Sequence, residues 1–261
     1  MRITVCEIPD EASPGGAVWR DLCEHLRAAR PDLLLLPEFA FLPAVWEQPV
    51  ANAALWQTAL QRFQALIAAL PQLACSWVVG AGPATVSGQR FNQGFAWSAA
   101  TGLRRLRSKA YLPNEEGSWE ANWFQPGPRR FPPFCAGDLR FGLNVCTELW
   151  ALDSVCRYPS HMVHAVLTPR ATGAASTERW VGLAQAVATR TGAYSASSNR
   201  WHPDGRCGGV GWLIDPDGRE LVRTSAHEPF VTVKIDLSAC TAARARYPRY
   251  VFASPIRGQE A

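Results

Sequence analysis

Residues 32–39 read DLLLLPEF, four leucines in a row closed by Pro37 and Glu38. A strand that is apolar at every position buries both of its faces, and this happens when a sheet is covered on each side. The proline then stops the run, because it cannot donate to a sheet ladder. Around this strand the chain alternates apolar runs with helical ones. RITVCEI (2–8) reads as a first strand, and WRDLCEHLRAARP (19–31) as an amphipathic helix stopped by Pro31. ALWQTALQRFQALIAALP (54–71) is a second helix, stopped by Pro71, and CSWVVGAGP (75–83) and NQGFAWSAATG (92–102) are two further strands. DLRFGLNVC (138–146) and HAVLTP (164–169) are strands, and TERWVGLAQAVATRTG (177–192) is a helix closed by Gly192. AYSASSNR (193–200), GVGWLIDPDGREL (209–221) and FVTVKIDL (230–237) complete the set, the middle one with a hairpin turn at Asp-Pro-Asp-Gly. Such alternation predicts an α/β layered fold. With no repeat, linker or break in composition, residues 1–261 are expected to form a single domain.

Between them, RLRSKAYLPNEEGSWEANWFQPGP (105–128) reads as a long structured loop of the kind that carries function. Hydrophobic residues make up 48% of the chain and charged ones 18%, as suits a well-cored globule. The net charge of +4 is spread rather than striped, so nucleic acid is not an expected partner. No apolar stretch reaches the ~20 residues of a membrane helix. The start, MRITVCEIPD, reads as a strand rather than a signal peptide, and a cytoplasmic location is the expectation. The eight cysteines form no CxxC pair, and the HxxH of His161 and His164 has no further ligand at a familiar spacing. No metal or cofactor is expected.

Three strand-like segments lead to chemically loaded residues: Glu38 after DLLLLP, Lys109 after the segment following FAWSAATG, and Cys146 after DLRFGLNV. In open α/β sheets, sites form beyond the carboxyl ends of strands. A glutamate could take a thiol proton there, a thiolate could attack a carbonyl or nitrile carbon, and a lysine could hold the resulting negative charge. Each residue also has a plainer reading. Buried cysteines commonly only pack, and an acid after a proline commonly only caps a turn. Lys109 has one further mark: it and Lys234 are the only lysines in a chain whose other basic residues are all arginine.

With these residues the chain resembles the nitrilase superfamily, the carbon–nitrogen hydrolases. The resemblance rests on Pro37-Glu38, on Lys109 with Leu112-Pro113, and on Asn144-Val145-Cys146-Thr147-Glu148. It continues through Glu120 in WEANWFQPG, Pro169, Trp180, Ser198-Asn199-Arg200 and GVGWLIDPDG, nearly the whole chain. It implies a four-layer α-β-β-α sandwich that pairs into a homodimer or a larger even homo-oligomer. It also implies Cys146 as nucleophile, Glu38 as general base and acid, and Lys109 as oxyanion stabiliser with the backbone N–H of Thr147. A second glutamate orients the lysine and the substrate. Among Glu115, Glu116 and Glu120, Glu120 stands in the matching place relative to Phe124 and Pro126-Gly127.

The chain departs from the pattern after the nucleophile, where Leu149-Trp150-Ala151-Leu152 replaces an Arg-aromatic-Pro sequence. The missing arginine argues against carboxylate-bearing substrates. It leads to the expectation of a less polar acyl group near Trp150, Trp119 or Trp123, unless Arg170 supplies the charge. Thr147 stands where nitrilases proper carry tryptophan, which favours a small-molecule amide over a nitrile. The alternatives are a nitrilase, an acyl transferase, a non-catalytic binding member, and a papain-like Cys–His enzyme. The last lacks a histidine in a recognisable context.

Overall fold

The computed structural model describes residues 1–252. Its strands are β1 (Arg2–Pro9), β2 (Leu33–Glu38), β3 (Trp77–Val86), β4 (Gln89–Ser98), β5 (Gly102–Ser108) and β6 (Phe134–Ala136), followed by β7 (Leu139–Leu143), β8 (Ala165–Arg170), β9 (Tyr194–Trp201), β10 (Trp212–Ile214), β11 (Glu220–Arg223) and β12 (Phe230–Lys234). The helices are α1 (Ala17–Ala29), α2 (Ala53–Ala69), α3 (Glu120–Trp123), α4 (Leu152–Val155), α5 (Thr177–Thr191) and α6 (Ser238–Ala245).

The strands join in the order β5-β4-β3-β2-β1-β9-β8-β7-β6, with β12 on β1 and β10-β11 on β9. β1 is the crossing point. It pairs with β2 through Ile3 and Thr4, and with β9 through Glu7, Ile8 and Pro9. This places β2–β5 in one layer and β6–β11 in the other. The leucine run shows why both faces must be apolar. Leu33 and Leu35 join Phe141, Leu143 and Leu167 in the core between the layers. Leu34 and Leu36 face outward onto Trp19, Leu22 and Leu26 of α1 and Leu66 of α2. On the far side, Val181, Ala184 and Val187 of α5 cover β8 and β9. The result is the expected helix–sheet–sheet–helix sandwich.

Helix ends follow local chemistry. Asn52 caps α2 by accepting from the Leu55 N–H at 3.0 Å. Gly192 ends α5 with φ +59°, a left-handed conformation that costs glycine little. The segment from 105 onward departs from the loop reading, because its first residues continue β5. That strand hides its character in Leu103-Arg104-Arg105-Leu106-Arg107, where the exposed Arg104 and Arg105 make a basic edge of the kind that discourages pairing with another sheet. β6 was also illegible; it is short and pairs with β7 across the Gly137-Asp138 turn.

Parallel pairing of β1, β2 and β3, and of β7, β8 and β9, gives each group a common direction. β5, antiparallel to β4, which is itself antiparallel to β3, also runs that way. Glu38, Lys109 and Cys146 therefore emerge at one end of the sandwich. The turn to Cys146 is packed tightly: Tyr158 is fully buried, lies over Gly142 and donates its hydroxyl to Asn144 Oδ1 at 2.8 Å. A methyl group at Gly142 would overlap that ring. Gly142→Ala is expected to lower stability by about 1–3 kcal/mol in urea unfolding, the cost of overpacking a core.

Candidate active site

The site begins where β2 ends. Glu38 is 1% exposed, and the backbone after it turns through left-handed conformations at Phe39 and Phe41. Arg200 fixes this turn by donating to the Phe39 and Leu42 carbonyls at 2.6 and 2.9 Å, while its Nε pairs with Asp10 at 2.7 Å. Asn199 holds the opposite wall. It accepts from the Thr172 N–H and donates to the Thr172 and Gly209 carbonyls.

Lys109 follows β5 directly and is fully buried. Its ammonium donates to Glu38 Oε1 at 2.9 Å and to Glu120 Oε1 at 2.6 Å. Asn92, on β4, donates to the same Glu38 oxygen at 2.6 Å. Burial by itself would lower the Lys109 pKa, but Glu120 and Glu38 overcome it and hold the lysine cationic, well above its usual range. Burial raises the Glu120 carboxyl to about 7, against the pull of Lys109 and with the help of Glu38. The second oxygen, Glu120 Oε2, is buried without a hydrogen-bond partner among the described residues.

Cys146 lies beyond the end of β7, at the first position of a short 3₁₀ turn, with φ +49°. A non-glycine residue in that conformation stores strain of order 1–3 kcal/mol, and such strain gathers at functional sites. Glu148 explains how the turn is kept. Fully buried, it accepts from the Val145 N–H at 2.9 Å on one side and the Ala110 N–H at 2.6 Å on the other. It also pairs with Arg107, both of whose terminal nitrogens donate to it. One carboxylate thus ties the neighbour of Lys109 to the neighbour of Cys146.

A cavity of about 360 Å³ opens in front of this group, and Glu120, Cys146, Thr147, Ala171 and Thr172 line it. Trp46, Glu47, Glu115, Glu116, Trp180 and Arg206 form its outer walls. None of Trp119, Trp123, Trp150 and Arg170 is among the lining residues. Trp119 donates its backbone N–H to Trp46 O at 2.8 Å. Trp123 donates its indole N–H to Gln48 O at 2.7 Å. Trp150 is 45% exposed and meets the cavity only through the edge of Trp180. Arg170 is fully buried behind the wall, stacked 4.0 Å from the Trp212 ring, with its donors on Ser197, Thr172 and the Val210 carbonyl. Burial lowers its pKa to about 9, which still leaves it charged at neutral pH. The tryptophans that line this cavity are Trp46 and Trp180 rather than the Trp150, Trp119 and Trp123 named from the sequence. A substrate carboxylate has no route to Arg170, whose place is structural.

Asn92, Trp46 and Arg206 carried no signal in the sequence, and Trp180 was legible only as part of a motif. Among the described residues no three His, Cys, Asp or Glu side chains converge as a metal site, and His164 Nδ1 accepts from the Arg140 N–H. No helix among them is long and apolar enough to cross a membrane.

Burial pushes the Cys146 thiol up to about 12, and Glu38 adds to this while Lys109 opposes it. At neutral pH the resting group is therefore a thiol that needs a base beside it. The difference in ultraviolet thiolate absorbance between wild type and Cys146→Ala is expected to show no step between about pH 5 and 9. A step near neutrality would mean a preformed thiolate. The second test concerns Glu148. Glu148→Gln leaves Arg107 buried without its charge partner and is expected to cost about 3–5 kcal/mol in urea unfolding.

The fold has many solved counterparts. A carbon–nitrogen hydrolase from Helicobacter pylori G27 superposes with a TM-score of 0.83 at 17% identity, covering 96% of this chain and 94% of that one. XC1258 from Xanthomonas campestris, a CN-hydrolase superfamily protein with an arsenic adduct in its active site, gives 0.76 at 20% identity over 98% of both chains. An amidase from Nesterenkonia sp. gives 0.75 at 20% identity over 94% of both. No curated protein matches the sequence. The sequence profile of the family described as "Carbon-nitrogen hydrolase" matches residues 3–245, and the chain belongs to that family.

Proposed function

We propose that this protein hydrolyses a small amide through a thioester on Cys146. The observation that carries the reading is the buried Lys109 ammonium, held between Glu38 and Glu120 at the back of the cavity that Cys146 lines. Burying one cation and two carboxylates is costly, and a packed apolar core would do as well or better for stability. Chemistry gives the cluster its reason.

In the first half-reaction, Glu38 takes the Cys146 proton as Sγ attacks the amide carbon. Lys109 Nζ and the Thr147 N–H, at the start of a turn where backbone donors lack helical partners, hold the oxyanion. Glu38 returns the proton to the departing nitrogen, the C–N bond breaks, and ammonia or an amine leaves a thioester. In the second half, Glu38 takes a proton from water as its oxygen attacks the thioester carbon. The C–S bond then breaks, the acid leaves, and Cys146 regains its proton. Glu120 keeps Lys109 in place throughout. A mutant of the Nesterenkonia sp. AN1 amidase shows the result of Michael addition of acrylamide at its active-site cysteine, which supports a nucleophilic cysteine in a protein of this fold. Thr147, in place of tryptophan, supports amides over nitriles.

Ammonia release from neutral and acidic amides and matched nitriles tests this. Amide turnover is expected in wild type and absent in Cys146→Ala. Lys109→Gln is expected to lower kcat by about 10²–10³-fold, the usual loss for one oxyanion donor. Turnover that survives in Cys146→Ala would overturn the scheme, and turnover of nitriles alone would move it to nitrile hydrolysis.

A further inference from the structure

The walls of the cavity in front of Cys146 are charged unevenly. Glu47, Glu115 and Glu116 line its outer part against Arg206, and Arg129 lines the adjoining pocket that shares Glu115, Thr147 and Trp180. Arg206 is occupied: its Nε lies 3.3 Å from Asp10 Oδ2 and 3.5 Å from Glu47 Oε1, with Asp204 at 4.0 Å. These carboxylates hold the Arg206 pKa above its usual value against burial, which acts the other way. Glu115 and Glu116 enter none of the ion pairs among the described residues.

Deeper in, Lys109 donates to Glu120 Oε1, and Oε2, almost wholly buried, accepts no hydrogen bond of good geometry among the described residues, although Asn92 stands close enough to favour the charged carboxylate. Trp46 and Trp180 line the same space, and each ring already draws an arginine, Arg200 at 5.7 Å from Trp46 and Arg170 at 5.7 Å from Trp180. Carboxylates and indole faces both attract cations, the first by charge and the second by the ring quadrupole. Within this cavity a substrate carboxylate would meet repulsion from Glu115 and Glu116, and Arg206 could receive it only by leaving Asp10 and Glu47.

We propose that this cavity selects amides whose far end carries a cation, an alkylammonium or a guanidinium, over neutral and carboxylate-bearing amides. The amide carbon sits at Cys146 and the cation reaches outward to Glu115 and Glu116, between the two tryptophans. The inference rests on the reading of the cavity as the amide site.

The experiment separates the two readings by measuring binding without chemistry. Calorimetry on the Cys146→Ala protein compares three probes of equal chain length: δ-aminovaleramide, valeramide and the monoamide of glutaric acid. δ-Aminovaleramide is expected to bind about tenfold more tightly than valeramide, the gain from two exposed charge contacts and an aromatic face. That advantage is expected to shrink severalfold with added salt and in the Glu115→Gln/Glu116→Gln variant. Equal or undetectable binding of the ammonium probe overturns the proposal. Tighter binding of the glutaric monoamide also overturns it, and would assign Arg206 as an anion anchor. Ammonia release by wild type is followed in parallel. Preferred binding of the ammonium probe without its turnover would leave the cation site standing and remove the hydrolysis.

Discussion

Glu148 is the joint on which the site depends. Cys146 belongs to one sheet and Lys109 to the other, so their separation depends on how two packed layers are aligned. Glu148 sets that alignment by accepting a backbone N–H from each side, at Val145 and Ala110, and by holding Arg107 from the edge strand β5. Arg107 in turn lies 4.0 Å from the Phe131 ring, so the charge is enclosed on its open face too. Hydrogen bonds of this kind are strong because water is excluded and each partner is fixed by its strand.

The charges inside the site are arranged on the same principle. Among the described residues, Lys109 carries the only positive charge in direct contact with Glu38 and Glu120. Its two carboxylate partners keep it cationic where burial alone would favour the neutral amine. The same burial keeps the thiol of Cys146 protonated. Under the proposed scheme, a thiol at rest and a desolvated carboxylate as its base would suit a proton transfer that accompanies attack rather than precedes it. Arg200 and Asn199 act further out, holding the two loops that form opposite walls.

The cavity shows how a sequence departure can be read in more than one way. Leu149-Trp150 after the nucleophile removes an arginine from that place. Arg170 cannot replace it, because its donors are already taken inside the wall. The polarity of the cavity is set instead from distant parts of the chain: Glu47 after β2, the Glu115-Glu116 loop, and Arg206 beyond β9.

Much of the framework was written locally. The unbroken leucine run required cover on both faces, Pro31, Pro71 and Gly192 marked helix ends, and Glu38, Lys109 and Cys146 stood out because each followed an apolar or strand-like run. These are short-range properties, governed by backbone sterics and by the alternation of side chains along a strand. The extent of β5 was hidden because Arg104, Arg105 and Arg107 leave it without an apolar alternation, and β6 was hidden because three residues are too few to show one. The partners of the site were also beyond reach. Asn92 meets Glu38, Arg107 meets Glu148, and Trp46 and Trp180 share a cavity only after sheet register and layer packing have been set. The sequence by itself determined the layered α/β class and singled out Glu38, Lys109 and Cys146, since those depend on neighbours along the chain. Which tryptophans and charges line the cavity beside Cys146 was decided only by the tertiary structure, since contacts across two sheets depend on how the layers pack.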